Sequence, residues 1–179
     1  MKSAIVFSFI FNALALALIA AEPTPSPASS APPAPSACNA PEFHQFDFWL
    51  GSWIVRTPDG KRTTGTSQIT RASSDCAILE QWKSAKGLSG TSINFYDTAT
   101  QHWHQVWVGG DGTILKLEGE LKNGAMILEG EQDDPRQATL IKNRITWTPL
   151  PEGKVKQEWA TSADGKVWQT SFVGIYSRE

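Results

Sequence analysis

From Gly51 onward the chain repeats one unit: a short run of alternating side-chain character, then a turn signal. The runs fall at residues 52–56, 66–72, 77–83, 90–96, 102–108, 113–121, 125–131, 138–148, 154–161 and 167–177. Between them stand "TPDGK", "ASSD", "KGLSG", "YDTATQ", "GGDG", "KNG", "DDPR", "PLPEG" and "SADGK", which supply the Gly, Asn, Asp and Pro that tight turns need. No helical pattern alternates with the strands, which excludes a parallel βαβ sheet and predicts an antiparallel meander. A twisted meander of ten strands resolves its exposed edges by closing on itself. The expected fold is an all-β, up-and-down barrel, with an open two-sheet sandwich as the other solution. Only "APEFHQFDFWLG" reads as a helix, a short one stopped by Gly51 and placed to cap one end.

What precedes the strands reads differently. Lys2 and the apolar run to Ala21 have the form of a secretory signal, residues 1–21, with an uncleaved anchor as the alternative. Residues 22–37 are dominated by Pro, Ala and Ser and offer nothing to bury, which predicts a disordered spacer. The folded domain is expected over residues 38–179, and the location is periplasmic or secreted, with no membrane span once the signal is removed. A formal charge of −2 and the lack of a basic run argue against nucleic acid as a partner. The two cysteines, Cys38 and Cys76, form an even pair in an exported chain and are expected to be disulfide-bonded. A loop of that length suggests about 4 kcal/mol of stabilisation. A catalytic thiol is the competing reading, and no suitably placed histidine supports it.

Strand parity decides where chemistry can sit. In "QHWHQVWVG", residues 101–109, one face carries His102 and His104, and the other Trp103, Gln105 and Trp107. Strand nine gives the sense: Lys154, Lys156, Glu158 and Ala160 share one face, whose two lysines and glutamate belong in water and leave Val155, Gln157 and Trp159 inside. By the same rule the indoles of strand five face in and the imidazoles face out. Strand three places Ile78, Glu80 and Trp82 together, and strand four groups Ser92, Asn94 and Tyr96 against Thr91, Ile93 and Phe95 without saying which set is buried. Metal sites need three or four converging ligands, and His44 is the only other histidine, so no metal and no cofactor are expected.

The recurring inward unit is a carboxamide or carboxylate two residues from a tryptophan: Glu80 with Trp82, Gln105 with Trp103 and Trp107, Gln157 with Trp159. Two readings follow. Either these polar groups satisfy neighbouring indole N–H groups in a filled core, or they line a cavity that takes a small amphipathic, planar or sugar-like ligand. The expected ligand-binding set is Trp49, Trp53, Glu80, Trp82, Asn94, Tyr96, Trp103, Gln105, Trp107, Gln157 and Trp159, with Arg144 a further companion of Glu80. A buried Glu80 is expected to resist ionisation unless paired. Two alternatives stay open: an isomerase or hydrolase using Glu80 and Tyr96, and an envelope interaction module with a solid barrel. No catalytic triad or phosphate loop is visible, so no catalytic residue is assigned. "SADGKVW" is one residue too short for an Asp-box and reads as a hairpin turn held by Asp164 and Gly165.

The segments "HQFDFWLGSW", "CAILEQW", "GLSGTSINFYD", "WHQVWV", "NRITWTPL", "VKQEWATSADG" and "FVGIY" resemble a group of exported bacterial proteins. Members of that group begin with FDFWLG-x-W and are described as lipocalin-like or calycin-like. The resemblance covers nearly the whole folded part; it implies a β-barrel and assigns no activity. Through "FWLGSW" the chain also loosely resembles nitrobindin-type barrels. The haem-ligating histidine which that resemblance implies near the C-terminus is missing here.

Overall fold

The alternation is cashed out as strands throughout the computed structural model, which describes residues 37–134 and 139–179. The expected signal segment, the spacer up to residue 36 and Ala138, the expected start of strand eight, lie outside the described residues. Ten strands follow in order: β1 Gly51–Arg56, β2 Thr63–Ala72, β3 Ala77–Ser84, β4 Ser89–Asp97 and β5 His102–Gly109. The rest are β6 Ile114–Lys122, β7 Ala125–Asp134, β8 Thr139–Pro149, β9 Val155–Ser162 and β10 Gln169–Arg178. Each pairs antiparallel with its sequence neighbours, and β1 pairs with β10, so the sheet is a closed barrel rather than a sandwich. Closure leaves no edge strand. Register shifts between Val55 and Arg56 and between Thr170 and Phe172 sit beside this seam.

Parity is as read from strand nine. Trp103 and Gln105 are buried, while His102 is exposed and His104 half-buried on the outside, stacked on Phe95 at 5.4 Å. Strand four, ambiguous in sequence, turns Gly90, Ser92 and Asn94 inward and leaves Ile93 on the surface. Among the described residues no group of three or more His, Cys, Asp or Glu converges as a metal site.

The expected short capping helix is present as two 3-10 turns, Pro41–His44 and Asp47–Trp49. Neither is long enough to sustain an α-helix, and their stability comes from packing. Phe46 stacks on Trp49 with ring centres 4.9 Å apart and meets the edges of Trp103 and Trp147. These four rings, with Trp53, Met126 and Leu128, fill one end of the barrel, and Tyr176 packs against Trp49 and Trp53 at the inner boundary of this filling. The indole N–H groups of Trp49 and Trp147 find no partner there. Each such orphan costs about 1–3 kcal/mol, which the surrounding aromatic packing has to offset.

Three polar devices hold the plug. The disulfide Cys38–Cys76 ties the start of the domain to the residue before β3. From β2, Arg71 donates to the carbonyls of Phe43 and Asp75 at 3.1 and 2.9 Å and pairs with the Asp47 carboxylate. From β10, the Arg178 guanidinium lies 4.1 Å over Trp53 and donates to Leu50 O. Its tip lies where a side chain at Gly51 would begin, and Gly51 has φ of 137°, so the backbone demands glycine in "FWLGSW". Among the described residues no helix is long and apolar enough to cross a membrane.

Candidate functional site

The barrel is filled at the plugged end and hollow toward the other. The hollow is a cavity of about 170 Å³ lined by Glu80, Trp82, Gln105, Trp107, Gln157 and Trp159, together with Leu115, Ile145, Phe172 and Tyr176. A vestibule of about 460 Å³ adjoins it, sharing Trp82, Trp107, Trp159 and Phe172 and reaching the β3–β4 and β5–β6 turns at Leu88 and Asp111. These two turns belong to the end opposite the plug, because strands in a meander alternate in direction. A larger concavity, about 840 Å³, lies outside on β6–β8, where Arg144 pairs with Glu129 and Lys142 with Glu131.

Glu80 is the chemical centre of the cavity. It is 3% exposed. Ser67 Oγ donates to Oε1 at 3.1 Å and Ser92 Oγ to Oε2 at 2.8 Å. Behind Ser92, Asn94 Nδ2 donates to its hydroxyl at 3.0 Å, and Gln105 Nε2 donates to Asn94 Oδ1 at 2.8 Å. Gln105, Asn94 and Ser92 thus form a chain whose protons all point toward the carboxylate. That polarity favours the anion, yet loss of water disfavours it more. Desolvation wins and pushes the Glu80 pKa up to about 7 against the two serine hydrogen bonds.

Tyr176 shares the cavity. Its hydroxyl donates to Gln157 Oε1 at 2.6 Å, and burial, with the nearby Glu80 charge, holds its pKa well above the ordinary phenol value. The tryptophans are seated by small residues opposite them. Any side chain at Gly90 would run into the Trp107 ring, so the indole takes the place of an inward residue on β4. Gly65 does the same for Trp82.

None of the polar residues of the inward repeat is spent on an indole. Trp103 Nε1 donates to Gln45, Trp53 Nε1 to Trp49 O, and Trp159 Nε1 to Asn143 Oδ1 at 2.9 Å. Glu80, Gln105 and Gln157 therefore do not serve as hydrogen-bond partners of the tryptophans.

Of the eleven residues expected from sequence, Glu80, Trp82, Gln105, Trp107, Gln157 and Trp159 line the cavity. Asn94 lies behind it in the hydrogen-bond chain. Trp49, Trp53 and Trp103 belong to the plug. Tyr96 does not meet Glu80: it packs beside Phe43 and Trp103 near the plug. Arg144 is also misplaced as a companion of Glu80, for it lies on the outer face, 3.9 Å over Trp168 and bonded to Glu129. The residues that sequence reasoning missed are Ser67, Ser92, Leu115, Ile145, Phe172 and Tyr176. Alternation through "FVGIY" carried the signal for the last two, since Phe172, Gly174 and Tyr176 share the face of a strand whose end is fixed by Arg178.

The turn read in "SADGKVW" is present, with Asp164 Oδ1 accepting from the amides of Lys166 and Val167 and Gly165 at φ of 75°. No family model matches this sequence, and no curated protein matches it either.

Proposed function

We propose that this chain is an exported binding protein, akin to the lipocalin-like group it resembles, that holds a small amphipathic molecule inside the barrel. One observation carries the reading: the inward carboxylate and carboxamides face a hollow bounded by indoles instead of serving as partners for those indoles. Among the described residues Gln157 makes one side-chain hydrogen bond, from Tyr176, so its amide nitrogen is left for a guest. The disulfide supports an oxidising compartment. The test is intrinsic fluorescence: titration with a library of metabolites and lipids should shift or quench tryptophan emission, and Trp107→Ala should abolish the response. Native mass spectrometry of protein purified from its own host should show a retained ligand as added mass.

A second reading is favoured by the proton affinity of Glu80. A carboxyl that titrates near neutrality, beside Tyr176 instead of the expected Tyr96, is suited to proton transfer in an isomerase or hydrolase. It predicts turnover of a library member that Glu80→Gln stops without unfolding the chain.

A further inference from the structure

The cavity contains one acid and, among its lining residues, no lysine, arginine or histidine. None of the ion pairs among the described residues includes Glu80; all of them lie toward the surface or at the plug. A buried carboxylate with no counter-cation is a costly arrangement. Here the cost is only partly offset by Ser67 and by the Ser92–Asn94–Gln105 chain, whose protons point toward that carboxylate and prepare it as an anion. The remaining lining is aromatic, and aromatic rings attract cations through their quadrupoles. The carboxylate and the ring faces of the hollow act in the same sense on a positive charge.

We infer that the cavity selects an organic monocation, an ammonium head group seated between the Glu80 carboxylate and the rings of Trp82, Trp107 and Trp159, with an apolar tail in the vestibule. The inference rests on the binding role proposed above. A fatty-acid carboxylate would meet a like charge at the bottom of the hollow. A neutral head gains at most a hydrogen bond from Glu80, without the charge attraction a cation feels. Size agrees with a head group only: about 170 Å³ falls below the roughly 300–1,000 Å³ of pockets that enclose a whole drug-sized ligand. The vestibule, about 460 Å³ and sharing four lining residues with the cavity, accommodates the rest. Cation binding should strengthen as pH rises through neutrality, because the guest stabilises the ionised carboxylate. Groups facing Glu80 from the other strands are neutral there: Ser67 on β2, Ser92 on β4, Gln105 on β5, Gln157 on β9 and Tyr176 on β10, the last with its pKa raised.

The experiment is a calorimetric and fluorescence titration of the whole domain with a chain-matched series: an alkyltrimethylammonium, the alkylamine, the alcohol and the carboxylate. At about pH 8 the two cations should bind at least roughly tenfold more tightly than the alcohol, with the carboxylate weakest. Glu80→Gln should bring cation and alcohol together, and so should lowering the wild type to about pH 5.5, an arm that needs no variant to fold. Equal binding of alcohol and cation by the wild type at high pH overturns the cation assignment and leaves the binding role standing. No binding by any member, with unchanged tryptophan emission, overturns both.

Discussion

Tyr176 donates its hydroxyl proton to Gln157 at 2.6 Å and leaves Glu80, which lines the same cavity, to two serines. The tyrosine and the carboxylate are therefore neighbours without a shared proton. Tyr176→Phe should leave Gln157 Oε1 without its donor and lower stability by about 1–3 kcal/mol in urea denaturation. It should not move the titration of Glu80, whose proton affinity comes from burial acting against the two serine hydroxyls. An NMR-detected titration of the Glu80 side chain checks the second part.

Glu80 makes the fold less stable as pH rises. Its carboxyl holds a proton to about pH 7 when folded but releases it near its ordinary value of 4.5 when unfolded. Between these values the folded chain binds more protons, so the stability contribution is complete below 4.5 and is lost as pH climbs through 7. The difference is on the order of 3 kcal/mol. Wild-type unfolding free energy should fall across that interval, whereas Glu80→Gln should stay flat and match or exceed the wild type near pH 8. Measurements should stop above the range where the exposed carboxylates titrate: Asp59, Asp97, Asp111 and Asp164 are lowered by turn hydrogen bonds and act in the opposite sense at acid pH.

Gly90→Ala tests the seating of Trp107. The added methyl falls where the indole ring lies, so the ring has to swing into the cavity or the strand has to shift. Overpacking of this kind costs about 1–3 kcal/mol. Trp107 emission should change in the absence of any ligand, and affinity for whatever fills the hollow should drop. An unchanged spectrum together with unchanged affinity would refute this account of the seat.

Reduction separates the two ends of the barrel. Opening Cys38–Cys76 frees the plug from β3 and should cost about 2–4 kcal/mol, seen as a lower midpoint in thermal unfolding with reductant. The cavity residues lie at the other end. A reduced but folded chain should keep its tryptophan response to ligand; loss of the response at a temperature where the chain remains folded would contradict the division.

Much of this architecture can be read from residue types alone. Lysines on one side of β9 and the Trp–Gln–Trp face of β5 establish which side of the sheet is dry, and turn residues establish the strand count. Parity through "NRITWT" also places Arg144 opposite Trp147, so its outward position was legible too. Strand four resisted because Ile93 and Phe95 are apolar yet external, with Phe95 covered by His104. The confusion of Tyr96 with Tyr176 has a different origin. Both tyrosines point inward from a strand, and what distinguishes them is height along the barrel. Height depends on strand stagger and on which end the Phe46–Trp49 plug enters, relationships between distant segments that no local pattern encodes.

An even number of alternating strands has a practical corollary. The first strand begins and the last one finishes on the plugged side, where Arg178 reaches Leu50. A linker fused after Glu179 therefore emerges away from the vestibule. Immobilised through such a linker on a sensor chip, the barrel would present its aperture to the flowing analyte.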